Sequence, residues 1–120
     1  RYNLARALTG LGRRKEATAL LEQMIRDHED GGEEHALLGE LRLKAGEPDA
    51  ALSEWRIAAA FDPGDAQVQF LIGQQLSSRG RPTEALPFFR AARRLSPEDP
   101  VYREAAAGAE KRLKQTHHLK

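Results

Sequence analysis

Residues 84–100 read EALPFFRAARRLSPEDP and residues 50–66 read AALSEWRIAAAFDPGDA. Laid over one another at an offset of 34 residues, Ala51 meets Ala85, Leu52 meets Leu86, Arg56 meets Arg90, Ala58 meets Ala92, Pro63 meets Pro97 and Asp65 meets Asp99. Trp55 falls on Phe89 and Phe61 on Leu95. Small positions recur as small and large positions as large, so one packing pattern is written twice. A fainter third copy lies upstream, where EATALLEQMIRDHEDGG (16–32) puts Ala17 under Ala51 and Ala85, and Leu21 under Trp55 and Phe89. The stretches between these copies repeat too: YNLARALTGLG (2–12), ALLGELRLKAG (36–46) and FLIGQQLSSRG (70–80) each end at a glycine. Repetition at a fixed period decides the architecture before any local propensity does.

Each half-unit has a helical pattern. Leu4, Leu8 and Leu11 recur at three- and four-residue spacing, as do Ile72 and Leu76, and Leu86 and Phe89, while nothing alternates with the period of two that a strand requires. Gly12, Gly46 and Gly80 suit helix C-termini that need a positive φ. Pro48 and Pro82 follow two residues later and are placed to open the next helix. Asp65 and Asp99 are expected to cap the helices starting at Ala66 and Pro100. Pro87, about one turn into its helix, removes a backbone donor there. The expected helices span about 1–11, 14–28, 33–45, 48–61, 66–79, 82–95 and 99–116. Short connections make neighbours antiparallel. Three hairpins, each too small to bury its own apolar face, stack into an all-α solenoid.

The bulk numbers agree with an ordered protein and exclude several functions. A length of 120 residues fits one domain, and no apolar run approaches the ~20 residues that span a bilayer. With 19 basic and 18 acidic residues the net charge is +1, which gives no global field for nucleic acid or an anionic membrane. The chain has no cysteine, hence no disulfide and no thiolate chemistry. It begins at Arg1, inside a repeat, and reads as a piece of a longer protein. The abundance of Ala and Arg matches a GC-rich bacterial coding sequence.

Chemistry-bearing clusters are sparse. His117 and His118 are adjacent and on a helix point about 100° apart, unsuited to chelating one ion. His28 and His35 stand alone and read as solvated. Glu29-Asp30, Glu33-Glu34 and Glu98-Asp99 flank helix starts, where the helix dipole favours negative charge. Arg90, Arg93 and Arg94 read as a solvated basic face, since no exposed aromatics are interleaved with them. No phosphate loop and no nucleophile–base spacing is present. No cofactor, metal or catalysis is expected.

These residues resemble the tetratricopeptide repeat (TPR) family, over nearly all of 1–97. In the family's first helix a large residue precedes a small one, matched by Leu4-Ala5, Leu38-Gly39 and Ile72-Gly73. In its second helix small, bulky and small residues alternate, matched by Ala51, Trp55, Ala58 and by Ala85, Phe89, Ala92, and a proline closes the unit at Pro63 and Pro97. The sequence departs from the pattern at Arg1, His35 and Gln69, where an aromatic is common, and at Arg42, Met24 and Glu29.

The resemblance implies a single domain, 1–120, forming a right-handed superhelix. Its repeats would cover about 1–31 (truncated), 32–65 and 66–99, with a solvating helix at about 99–116. Gly73 and Ala85 would mark the close contact of a hairpin, and Phe89 would fill the wedge towards the next one. It further implies a concave groove lined by the first helices: Tyr2, Arg6 and Thr9; Glu33, Ala36, Glu40, Leu43 and Lys44; Gln67, Phe70, Gln74 and Ser77; then Val101 and Glu104. Tyr2 and Phe70 would be anchors turned away from the hairpin contact. The carboxylate clamp of chaperone-tail receptors is not matched, because Tyr2, Arg6, Leu37, Gln67 and Leu71 occupy its positions. The function so implied is a non-catalytic scaffold holding a partner peptide or protein segment, with no nucleic acid and no membrane insertion. The rivals are a self-associating structural module, paired through the first or last helix as a homo-oligomer, and an accessory domain of a larger enzyme or secretion component.

Overall fold

The computed structural model describes residues 1–118, with side chains over 1–115. It is all-α, with α1 (Tyr2–Gly10), α2 (Arg14–Arg26), α3 (Gly32–Lys44), α4 (Pro48–Phe61), α5 (Ala66–Ser78), α6 (Pro82–Leu95) and α7 (Pro100–His118). The helices gather into two compact units, one spanning Arg1–Asp62 and the other beginning at Pro63. The first therefore contains the hairpins α1–α2 and α3–α4, and the second contains the hairpin α5–α6 with α7 against it.

The turn inside each hairpin has the same geometry. Gly12, Gly46 and Gly80 adopt φ of 79, 80 and 71°, and in each the following amide reaches back five residues. Arg13 N–H donates to Leu8, Glu47 to Arg42 and Arg81 to Leu76, at 2.9–3.0 Å. This is the Schellman ending, and it satisfies carbonyls that the helix would leave bare. Pro48 and Pro82 then open α4 and α6 as expected. Asp65 accepts from the Val68 amide at 3.3 Å and Asp99 from the Val101 amide at 2.9 Å.

The first repeat ends differently, and its missing proline explains why. A residue before proline is pushed out of the helical region, and Asp62 and Ser96 accordingly sit at φ of −143 and −135°. Glu29 stands where those copies have Pro63 and Pro97, so His28 is free to take φ of 58° and Glu29 N–H bonds back to Met24 at 2.9 Å. A histidine in that left-handed region carries a strain of roughly 1–2 kcal/mol that glycine would avoid.

Close approach within the hairpins rests on glycine. Trp55 on α4 lies over Gly39 on α3, so near that a Cβ on Gly39 would stand 2.5 Å from the indole nitrogen. The indole N–H donates to the Ala36 carbonyl at 3.1 Å, which fixes the ring. Phe89 on α6 covers Gly73 on α5 in the same way, with a hypothetical Cβ 2.7 Å from Cε1. The bulky Phe89 thus lies across its own hairpin, where the glycine opens a slot, and it also lines the cavity beside the following helix. Ala5, Leu8, Ala17, Leu21, Met24, Leu37, Leu38 and Leu41 form one buried cluster that joins the two hairpins of the first unit. In the second unit α7 buries Ala106 and Ala109.

Two leucines of the first helical pattern are exposed. Leu38 and Ile72 are buried, but their counterpart Leu4 is 55 % exposed and Leu11 is 71 % exposed. Among the described residues no helix packs on that side of α1. Arg42, where the pattern favours an apolar residue, lies half-buried and reaches Glu22 at 3.4 Å.

Alanine at Gly39 tests the close approach. Helix propensity alone favours the change by about 1 kcal/mol. The Trp55 ring, only 1 % exposed, has no room to move aside, and overpacking of that kind costs about 1–3 kcal/mol. Gly39→Ala should therefore lower the melting temperature, whereas Gly108→Ala, which meets nothing within 4 Å, should raise it. A Gly39→Ala melt at or above that of the parent would contradict the ring-on-glycine contact.

Candidate functional site

In the second unit, Phe70, Gln74 and Ser77 follow one another up α5 at helical spacing and face Val101, Glu104 and Ala105 of α7 across a cavity of about 770 Å³. Gln75, Ser78, Phe89 and Arg112 complete the lining. Gln67, expected on the same surface, is exposed but does not line the cavity. Phe70 is half-buried and does not turn clear of the hairpin contact. Its ring centroid lies 5.9 Å from that of Phe89 and 5.1 Å from that of Tyr102, tilted at 49 and 44°. Such tilted pairs are favourable aromatic geometries. One part of the Phe70 ring therefore belongs to the packing of α5, α6 and α7, and the rest forms cavity wall. Tyr102 escaped the sequence reading because nothing local shows that α7 folds back onto α5. Burial pushes its phenol up, with the charges of Asp99 and Asp65 adding to the shift.

In the first unit, Tyr2 and Arg6 on α1 share one electrostatic neighbourhood with Glu33 and Glu40 on α3. Burial pushes the Tyr2 phenol up, Glu33 adds to this, and Arg6 opposes it. Tyr2 also leans on the buried leucine cluster, so it too is partly structural. Arg6, Glu33, Glu40, Leu43 and Lys44 are exposed, and Lys44 lies 3.9 Å from Glu40. Thr9 is turned into its own helix, donating to the Ala5 carbonyl at 2.8 Å. Ala36 is half-buried and presents little side chain.

His35 is not solvated. It is 5 % exposed and stacks on Phe61 at 5.6 Å and 16°. Its Nδ1 lies 2.7 Å from Glu54 Oε2 and its Nε2 lies 2.5 Å from Asp30 Oδ2. A neutral imidazole has one N–H, so facing carboxylates with both nitrogens calls for the imidazolium. Burial lowers the proton affinity of the ring, but the hydrogen bonds to Glu54 and Asp30 outweigh it, and the pKa is raised. His28 is exposed, as expected. The reading of His117 and His118 lies outside the described side chains. Among the described residues no group of three or more His, Cys, Asp or Glu could hold a metal ion, and no helix is long and apolar enough to cross a membrane.

The basic face on α6 is largely tied down. Arg90 and Arg93 each reach Glu110 of α7 at 2.9 Å. Hydrogen bonds from Arg93 and Arg90 hold the Glu110 carboxyl below its ordinary range.

Two tetratricopeptide repeat models match the chain, one over residues 36–100 and the other over residues 1–30. Among solved structures, the chain is similar to YrrB, a TPR protein with an unusual peptide-binding site, with a TM-score of 0.79 and 23% identity, covering 94% of this chain and 58% of that one. It is similar to MamA of AMB-1, with a TM-score of 0.79 and 25% identity over 96% of this chain and 63% of that one. The Yersinia enterocolitica type III secretion chaperone SycD, in complex with a peptide of the translocator YopD, matches with a TM-score of 0.72 and 23% identity over 95% and 87% of the two chains. The chain thus spans 58% of YrrB and 63% of that MamA structure. No curated protein matches the chain.

The buried imidazolium makes stability depend on pH in a defined direction. A group whose pKa is raised on folding contributes fully below its unfolded value, about 6.5 for histidine, and loses that contribution as pH rises through the folded value. Asp30 behaves oppositely: the hydrogen bond from His35 lowers its pKa, so its contribution holds above the ordinary carboxylate value and fades as pH falls through the lower folded one. Melting temperature should therefore fall as pH rises above about 6.5. His35→Phe, which keeps a flat ring without a titrating nitrogen, should flatten that limb. Equal alkaline slopes in the two proteins would mean that His35 is neutral in the folded state.

Proposed function

The chain belongs to the tetratricopeptide repeat family, and from that membership we propose that it is a non-catalytic scaffold binding a peptide or protein segment of a partner. The cavity between α5 and α7 carries the reading. Phe70 and Val101 give it apolar wall, and the amides and hydroxyls of Gln74, Gln75, Ser77 and Ser78 can meet a bound backbone. A few polar groups around apolar surface is the usual composition of a ligand site. The peptide site of YrrB and the peptide complex of SycD support the same use of the fold. Repeats at about 1–31, 32–65 and 66–99, followed by the helix from 99, would then each offer binding surface. On the first unit, Tyr2, Arg6, Glu33, Glu40, Leu43 and Lys44 would offer contacts of that unit's own, and on the second Gln67 lies exposed on α5.

The test uses a peptide selected by display against the chain, with affinity measured alongside the melt. Val101 is 52% exposed, so Val101→Asp removes apolar wall with little packing to lose. It should weaken the peptide tenfold or more at an unchanged melting temperature. Phe70→Ala should weaken it as much, since anchors of this kind carry ~2 kcal/mol or more. It should also lower the melt, because part of the ring is packed. Parental affinity in both variants would overturn the α5–α7 surface as the binding site.

A further inference from the structure

We propose that the first unit carries a second site, separate from the α5–α7 surface, that takes an acidic peptide segment with an apolar side chain between its carboxylates. The site is a cavity of about 670 Å³ between the α1–α2 turn, the start of α2 and the end of α3. Leu41, Ala45 and Gly12 contribute uncharged lining, and the methylene stems of the surrounding Lys and Arg extend it. That volume lies within the usual range of ligand clefts.

Basic groups converge on the cavity from three elements: Arg13 in the turn, Arg14 and Lys15 in α2, and Arg42 and Lys44 in α3. Only two carboxylates, Glu16 and Glu47, share the lining. Arg13 is satisfied by Glu16 at 2.6 Å, but Arg42 reaches Glu22 only at 3.4 Å and Lys44 reaches Glu40 only at 3.9 Å. Arg14 and Lys15 have no acidic partner among the described residues.

The fold gives no reason for those two cations. They occupy the first turn of α2, whose start has no side-chain cap, and positive charge at a helix N-terminus opposes the helix dipole. The other two hairpins open their second helix with Pro48-Asp49 and Pro82-Thr83, which suit that position better. The uncapped amides and both cations together favour a negatively charged ligand at the same place. A nucleic acid fits poorly: no aromatic side chain lines the cavity for base stacking, and the net charge of the chain is only +1.

The experiment measures the anisotropy of a labelled peptide that alternates glutamate with leucine, bound to the whole chain. Binding is expected, weakening as salt rises. Arg14→Glu and Lys15→Glu should each weaken it tenfold or more. The same changes should leave the melt unchanged or raise it, because an acidic residue at the start of α2 suits the dipole. Arg94→Glu, an equal charge reversal on the exposed face of α6, should leave binding unaltered. Peptides with glutamine for glutamate, or serine for leucine, should bind more weakly than the parent peptide. The proposal is overturned if the glutamate–leucine peptide does not bind, or if the Arg14 and Lys15 reversals leave its affinity unchanged. It is equally overturned if Arg94→Glu weakens binding as much as they do, or if a single-stranded RNA of equal charge competes as well as the unlabelled peptide.

Discussion

In the hairpins α3–α4 and α5–α6 a flat aromatic ring rests on a helix at a point where even a methyl group would not fit. Trp55 over Gly39 and Phe89 over Gly73 bring paired helices together at one register. The first hairpin keeps the pair with its volumes exchanged. Ala5 stands for the glycine and Leu21 for the ring, and both are fully buried. A larger small residue thus goes with a smaller large one, as expected where total volume, more than any single side chain, is held constant. The alanines flanking each ring, Ala51 and Ala58 or Ala85 and Ala92, are buried with it. They allow the second helix to lie close on both sides of the contact.

A second recurring problem is how the first helix of each repeat is tied to the chain beside it. Arg1, His35 and Gln69 occupy the same repeat position and tie it in three ways. Arg1 forms ion pairs with Asp27 and Glu29 at 2.8 and 2.9 Å. His35 stacks on Phe61, the counterpart of Asp27, and hydrogen-bonds to Asp30 in the preceding turn. Gln69 is buried and donates to the Pro63 carbonyl at 3.1 Å. None of the three is the aromatic that the family favours there. Arg1 is exposed, but His35 and Gln69 are tolerated in the interior because each finds its partner, and among the described residues no buried side-chain polar atom is left without one.

The candidate surfaces are made from what this packing leaves over. Phe70 is shared between an aromatic cluster and a cavity wall, so binding and stability are coupled in that residue. Arg14 and Lys15 are different: packing does not use them and helix electrostatics opposes them. Residues of that kind are informative about function because the fold supplies no reason for their chemistry.

The sequence by itself determined the period, the seven helices, the glycine turns and the small-and-bulky order within each hairpin. These features are local or repeat at a constant offset, so neighbouring residues are enough to define them. Helical spacing also puts Phe70, Gln74 and Ser77 on one face of α5, whereas a place for Val101 and Glu104 of α7 beside them came only from the family resemblance. Only the tertiary structure decided which equivalent positions are covered. Leu4 and Leu38 read alike, yet one is exposed and the other buried, because burial depends on what packs against a helix as well as on the helix itself. His35 reads as a lone histidine until Glu54, nineteen residues away, and Phe61 are brought to it across the hairpin. Tyr102 beneath Phe70, and Glu110 between Arg90 and Arg93, likewise meet their partners only once α7 has folded back. Pairings between elements follow from the positions of whole helices, and periodicity along one helix carries no information about the charge or ring that another helix will present to it.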